Sequence, residues 1–270
     1  MSRKHKTRRT FDDLGERFER NILDAPKGKI RQLVLWRHLL QQLPSLQSVP
    51  PLNVLDAGCG LGQMAAGLRD LGHHLTLCDS SAEMLTAARD RLEQPSATAS
   101  GTTAYYQALI EEMPERCRQS FDLVLCHAVL EWVSDPERAI AALAGLVRPG
   151  GHLSLSFYNR DALIYRNLIN GNLRKVKSGD FAGHPGGMTP DNPLSPAEVS
   201  AWLEQQGFDI RATAGLRVFY DFIPRHIRER LPLEDIIELE LEYSGRQPFN
   251  ALARYIHVVA VKRRESVRTG

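Results

Sequence analysis

Residues Leu52–Gly62 read L-N-V-L-D-A-G-C-G-L-G. Leu52, Val54 and Leu55 make the short apolar run of a strand that is buried on both faces. Asp56 ends it, and Gly58, Gly60 and Gly62 then alternate with Ala57, Cys59 and Leu61. Glycine has no side chain and accepts positive φ, so such a run lets the main chain turn sharply and press against a ligand. A helix is expected over Gln63–Leu71, closed by Gly72 in the usual position of a C-cap glycine. Strand, glycine turn and helix together open a nucleotide-binding βαβ unit.

The glycine spacing narrows the ligand. The dinucleotide fingerprint is G-x-G-x-x-G, whereas this loop is D-x-G-x-G-x-G without a G-K-[ST] ending. A phosphate-cradling P-loop needs that lysine and is therefore disfavoured. The loop is similar to the S-adenosylmethionine (SAM) loop of class I methyltransferases. A tight turn in any α/β protein uses the same glycines, so the following strands must decide.

With 270 residues, 43% of them hydrophobic, the chain can build one large α/β core or two small ones. No run reaches the ~18–20 apolar residues of a membrane span. The N-terminal M-S-R-K-H-K-T-R-R-T is basic but no apolar stretch follows it, which argues against a signal peptide. Cys59, Cys78, Cys117 and Cys126 are scattered without a C-x-x-C pair. That favours a reducing, cytoplasmic setting and argues against a zinc site or disulfide scaffold. Net charge is only +2, but cations crowd residues 1–10 and 263–270. Such tails read as solvated, disordered ends, with a sequence-independent attraction to an RNA backbone as the alternative.

Between the tails one domain, 11–262, is expected. Phe11, Leu14, Phe18 and Ile22 recur at helical spacing, and a second helix is expected over Lys29–Leu43, so 11–45 is a helical preface. Further strands are expected at His74–Cys78, Ala104–Ile110, Phe121–Cys126 and His152–Phe157, with late strands inside Phe208–Phe222 and Ala251–Lys262. Helices are expected from a Ser81 cap to Leu92, over Pro136–Val147, over 196–206 and over Leu233–Tyr243. Ser195, Pro196 and Glu198 read as a capping box for the 196–206 helix. Residues 160–194, rich in Gly, Asn, Pro and cations, read as an inserted cap. The alternation implies a Rossmann-like, mostly parallel seven-stranded sheet with helices on both faces.

In such a sheet ligands bind beyond the carboxyl ends of the strands. Gly58, Cys59, Gly60 and Gly62 follow strand one; Asp79 ends strand two, where a carboxylate can accept both ribose hydroxyls. Ile110 and Glu111 follow strand three, beside a possible adenine, and His127 follows strand four.

The motifs D-A-G-C-G-L-G, L-C-D-S-S-A-E-M, F-D-L-V-L-C-H-A-V-L-E-W-V and L-V-R-P-G-G-H-L-S-L-S-F-Y-N resemble those of class I SAM-dependent methyltransferases. Over nearly its whole length the chain is similar to the bacterial tRNA 5-carboxymethoxyuridine methyltransferases. The narrower signal is K-G-K-I-R-Q, S-F-Y-N, G-L-R-V-F-Y-D and R-Y-I-H-V. The resemblance implies methyl transfer from SAM to the carboxylate of 5-carboxymethoxyuridine at the wobble position of a tRNA anticodon loop. It also implies SAM contacts for Arg31, within K-G-K-I-R-Q, and for the loop glycines, Cys59, Asp79, Ile110, Glu111 and His127.

A carboxylate of ordinary pKa, near ~4, is ionised at neutral pH and needs no general base. The enzyme has mainly to align the reacting groups, so no catalytic nucleophile is expected. An acidic substrate wants a cation, and Arg217 and Arg254 are the candidates, unless each pairs with Asp221 or a glutamate of the 234–242 run. Trp132, Tyr158 and Tyr220 are candidates to stack a splayed base, with core packing favoured for Trp132 and a structural role for His257. The alternatives are esterification of a small acid or acyl carrier substrate, and a non-catalytic SAM-binding partner protein. No metal and no membrane contact is expected.

Overall fold

The computed structural model describes residues 25–48, 50–96, 98, 100–181, 190 and 192–264. The expected Phe11–Ile22 helix, the 1–10 tail and residues 265–270 lie outside the described residues. In chain order the elements are α1 (Pro26–Gln42), β1 (Asn53–Ala57), α2 (Gln63–Asp70), β2 (His74–Asp79), α3 (Ala82–Leu92), β3 (Thr103–Gln107) and α4 (Met113–Arg116). β4 (Phe121–His127), α5 (Pro136–Leu146), β5 (Val147–Tyr158), α6 (Arg160–Ile169), α7 (Leu173–Ser178) and α8 (Pro196–Gln205) follow. The chain continues through β6 (Phe208–Leu216), α9 (Arg225–Arg228), α10 (Leu233–Tyr243) and β7 (Tyr255–Lys262).

The strands form one seven-stranded sheet in the order β3-β2-β1-β4-β5-β7-β6. β7 runs antiparallel to both β5 and β6, and the other pairings are parallel. Side chains of a strand alternate between faces. Leu55 and Val124 therefore enter a core with Ile140 and Leu143 of α5 and Val199 and Leu203 of α8. Their neighbours Val54, Leu123 and Leu125 pack on the opposite face with Leu39 of α1, Leu68 of α2 and Leu85 and Ala88 of α3. Because both faces are covered, the central strands read as continuous apolar runs rather than alternating ones. α1 also reaches the far end of the sheet, where Ile30 and Val34 pack with Leu216, Tyr220 and Ile236.

Several boundaries differ from expectation. β3 stops at Gln107, and Ile110 begins a 3-10 turn, held by Glu112 accepting from the Leu109 amide. β5 begins at Val147, because Val147 pairs with Phe121 ahead of a register shift. β6 ends at Leu216, since Arg217 turns the chain with a φ of 62°. Ser81 does cap α3 through the Met84 amide, but Ser195 makes no side-chain cap bond on α8, so that capping box is absent. Within the expected 160–194 insertion, the described stretch 160–181 carries α6 and α7.

Candidate functional site

From β1 the chain builds β2 and β3 on one side and then crosses back to β4 on the other. That reversal leaves a crevice beyond the carboxyl ends of β1 and β4. A cavity of about 180 Å³ occupies it. Gly58, Cys59 and Gly60 form one wall; Asp79, Ile110 and His127 line it from the neighbouring strand ends, and Arg31 from α1. The loop is tied to β2: the Gly58 and Cys59 amides donate to the Cys78 carbonyl at 2.7 and 3.0 Å. The Gly60 amide donates to Asp79 Oδ2 at 2.9 Å, and the Ser81 amide to Oδ1 at 2.9 Å.

Glycine is required at Gly58, whose φ is +75° and where a Cβ would lie 2.4 Å from Val129 Cγ2. At Gly60, with φ +54°, an added Cβ would meet no atom within 4 Å, so bare main chain faces open space. Gly62 and Glu111 are not among the lining residues. Gly62 instead precedes α2 with φ +72°, and a Cβ there would come within 3.1 Å of Ala88 and Leu92. Trp132, for which core packing was favoured, is half-buried and lines the cavity.

Burial, reinforced by Asp79, pushes the Asp56 carboxyl up to about 7. Burial likewise holds the Cys78 thiol up at about 12 and those of Cys59 and Cys126 well above their usual range, so these thiols are neutral. His127 is depressed to about 3 by burial and by the nearby Arg31 cation. Its Nε2 lies 2.8 Å from Ser154 Oγ, while its buried Nδ1 has no hydrogen-bond partner among the described residues. Ala128, next in sequence, holds a φ of 59°; with Arg217 it is one of two non-glycine residues at positive φ among those described. Strain of this kind concentrates at functional sites.

Beside the cavity, α1, the turn after β6 and the residue before β7 bring cations onto aromatic rings of β5 and β7. Arg31 and Arg217 sit over the Tyr255 ring at 5.8 and 5.4 Å, and Arg254 over Tyr158 at 4.6 Å. The two rings are 5.3 Å apart. Arg217 Nε lies 3.0 Å from Asp221 Oδ2, the pairing weighed from sequence, although the geometry is that of an ion pair rather than an aligned hydrogen bond. Glu240 of the 234–242 run is engaged elsewhere, accepting from the amides of Val218, Phe219 and Tyr220. Burial, then Arg217, lowers the Lys27 ammonium. Tyr158 Oη and Arg254 Nε are buried without a hydrogen-bond partner among the described residues. Tyr158 is too enclosed to stack a base, at 1% exposed, and Tyr220 is also buried.

A second cavity, about 280 Å³, is lined by Tyr158 and Arg254 together with Arg166, Asn167 and Lys175. Sequence reasoning gave no role at the site to Lys27, Glu131, Tyr255 or Asp56. A signal existed for Glu131: it is a lone carboxylate inside the apolar run A-V-L-E-W-V. It is 1% exposed, and burial raises it to about 7 against the opposing pull of the Glu131 and Tyr158 amides and the Arg31 cation. Among the described residues no His, Cys, Asp and Glu cluster is arranged to hold a metal ion, and no helix is long and apolar enough to cross a membrane.

Sheet order, antiparallel β7 and glycine crevice define a class I SAM-dependent methyltransferase, and a methyltransferase-domain family model matches residues 55–155. Magnesium protoporphyrin IX methyltransferase from Synechocystis PCC 6803, solved with bound S-adenosylhomocysteine (SAH), shares the fold with a TM-score of 0.60 at 19% identity, covering 93% of this chain and 96% of that one. The tRNA 5-carboxymethoxyuridine methyltransferase of Escherichia coli (strain K12) is 39% identical over 254 residues, 94% of this chain and 96% of the relative. The chain belongs to the tRNA 5-carboxymethoxyuridine methyltransferase family. A ubiquinone biosynthesis O-methyltransferase of Coxiella burnetii is more distant, 29% identical over 71% of this chain and 78% of that protein. The cofactor of this class is SAM, and the cavity suits it: bare main chain at Gly60 and a carboxylate fixed at the end of β2 fit a ligand with a sugar diol.

Proposed function

We propose that this protein transfers a methyl group from SAM to the carboxylate of 5-carboxymethoxyuridine at the wobble position of tRNA, forming the methyl ester. The observation that carries the reading is the cationic cluster beside the cofactor cavity, where Lys27, Arg31, Arg217 and Arg254 gather around Tyr158 and Tyr255. When bound, SAM supplies a methyl made electrophilic by its sulfonium and departs as the neutral thioether.

The chain's own residues have four tasks. Asp79 accepts the ribose hydroxyls, an ionised carboxylate having about four lone-pair sites for such bonds. The Gly58–Gly60 main chain, Arg31, Ile110 and His127 hold the rest of the donor. Gly62 and Glu111 support this site from outside the cavity lining. Arg254, through a guanidinium whose Nε is buried without a partner among the described residues, and the Tyr158 hydroxyl, likewise unpartnered there, receive the substrate carboxylate with its charge balanced, and Arg217 supports them from its pair with Asp221. The carboxylate arrives ionised, so orientation does the work and no base is required.

The second cavity supports an RNA substrate over a small acid. Arg166 and Lys175 extend the positive lining from Arg254 outward over α6 and α7, where a phosphodiester flanking the modified nucleoside would lie. A tRNA substrate and four free, buried cysteines support a cytoplasmic setting for this reading.

The test is methyl-ester formation, read by nucleoside mass spectrometry, on an anticodon stem-loop carrying 5-carboxymethoxyuridine and on the free modified nucleoside. Turnover is expected on the stem-loop, with a KM that rises steeply with salt. Equal efficiency on the free nucleoside or on simple carboxylic acids would sink the RNA reading.

A further inference from the structure

Four side chains form a continuous polar line from α1, through the sheet, to the cofactor cavity. His38 Nδ1 of α1 lies 2.8 Å from His257 Nδ1 of β7. His257 Nε2 lies 2.8 Å from Ser154 Oγ of β5, and that same hydroxyl lies 2.8 Å from His127 Nε2 of β4. The sheet register dictates the line. His127 and His257 both pair across to Ser156, so their rings reach diagonally back, on one face, to Ser154 two residues earlier. The His257 ring stands edge-on to those of His38 and His127, with centroids 4.8 and 5.6 Å apart. His257 and Ser154 are fully buried and His38 is 7% exposed.

Burial holds His127 at about 3, His38 at about 4 and His257 well below the ordinary range, so each ring is neutral at physiological pH. A neutral imidazole has one N–H, and a hydroxyl both donates and accepts. The line can therefore be polarised end to end in two ways; the remaining arrangement, with Ser154 accepting from both rings, also places the proton on His127 Nε2 but leaves the buried hydroxyl hydrogen without an acceptor among the described residues. Donation from His38 towards His127 would leave an N–H on His127 Nδ1, a buried atom without a partner among the described residues. Donation in the opposite sense runs from His127 Nε2–H to Ser154, from Ser154 to His257 Nε2, and from His257 Nδ1–H to His38. It strands only a lone pair, and orphaned buried donors are the rarer of the two. It also puts the terminal N–H on His38 Nε2, which is not among the buried atoms without partners.

We propose that Ser154, His257 and His38 are positioning residues that lock His127 in its Nε2–H tautomer, keeping Nδ1 a bare acceptor for a donor on the cavity's occupant, such as the methionyl ammonium of SAM. None of the three lines the cavity; they act through His127. The inference rests on the cofactor cavity and not on the RNA substrate.

The test uses the full chain with ¹⁵N-labelled histidine and no ligand. Two-bond ¹⁵N–¹H correlation spectra are expected to show His127 as a single Nε2–H tautomer. Ser154→Ala should turn it into a mixture and weaken SAH binding, measured by titration calorimetry, about 3- to 10-fold, the worth of one hydrogen bond. Ser154→Thr, which keeps the hydroxyl, should restore both. His38→Leu changes only the distant end and carries the test if the serine variant does not fold; it should also shift the tautomer, with a smaller loss of affinity. A wild-type His127 protonated at Nδ1, or tautomer populations indifferent to either variant, would overturn the proposal. Wild-type protein that bound no SAH would instead sink the cofactor assignment and leave the tautomer result standing.

Discussion

On the β1–β2 side of the crevice, recognition is left to main chain. Gly58 and Gly60 present bare backbone, and a single carboxylate, Asp79, ties the turn to the next strand. On the β5–β7 side it is left to long cations stacked on rings, with Arg254 over Tyr158 and Arg217 over Tyr255. The first wall is intolerant of added volume at Gly58, where it meets Val129. The second accepts changes of size more readily than changes of charge, because its groups are held by electrostatics in a partly desolvated space.

The largest effect that would break this contrast is steric. Gly58→Ala puts a methyl 2.4 Å from Val129 Cγ2 at a φ of +75°, and SAH affinity should fall over about 1000-fold, combining clash with backbone strain. Adding Val129→Ala should recover part of it, relieving the clash but not the strain. Full affinity in the single variant would remove the claim that this wall is sterically closed.

Glu131 sharpens the electrostatic side. Its carboxyl sits at about 7 against an ordinary 4.5, raised by burial. The folded state therefore binds the proton more tightly than the unfolded state, and the stability this contributes at low pH is lost as pH rises from 4.5 through 7. Glu131→Gln should match wild type near pH 4.5 and exceed it by about 3 kcal/mol at pH 8, read by denaturant unfolding. A gain independent of pH would show that volume or packing, not charge, is responsible.

The smallest of the three concerns catalysis. Arg254→Ala should leave SAH binding within about twofold, and it should lower kcat/KM for methyl transfer about 100-fold through misplacement of the carboxylate. Equal loss in binding and turnover would merge the two walls into one site.

The same contrast explains what the sequence revealed. Main-chain recognition leaves local marks: Gly58, Gly60 and Asp79 lie within 22 residues, at fixed offsets after apolar strands. Sheet class, the number of strands and these residues were therefore legible, whereas the order of the strands came only with the structure. The opposite wall draws Lys27, Glu131, Tyr158, Arg217 and Tyr255 from five distant segments. Only tertiary packing brings them together, so Tyr158 was given a stacking role that its burial prevents and Glu131 was missed, while the local Arg217–Asp221 pair, four residues apart, could be weighed. Boundaries failed where pairing overrode glycine punctuation, as at Val147–Gly151, where the turn-like R-P-G-G belongs to β5.

β7 is the final strand in the chain yet lies inside the sheet, between β5 and β6. On the ribosome, the glycine turn and its neighbours are made long before residues 255–262 emerge. The β5 margin must wait, uncovered, for that segment to arrive. Arg254 immediately precedes this late-arriving piece and Tyr255 and His257 belong to it, so a nascent chain acquires the glycine wall well ahead of the opposite one. Premature termination before residue 255 is thus expected to yield an aggregation-prone remnant rather than a slow enzyme.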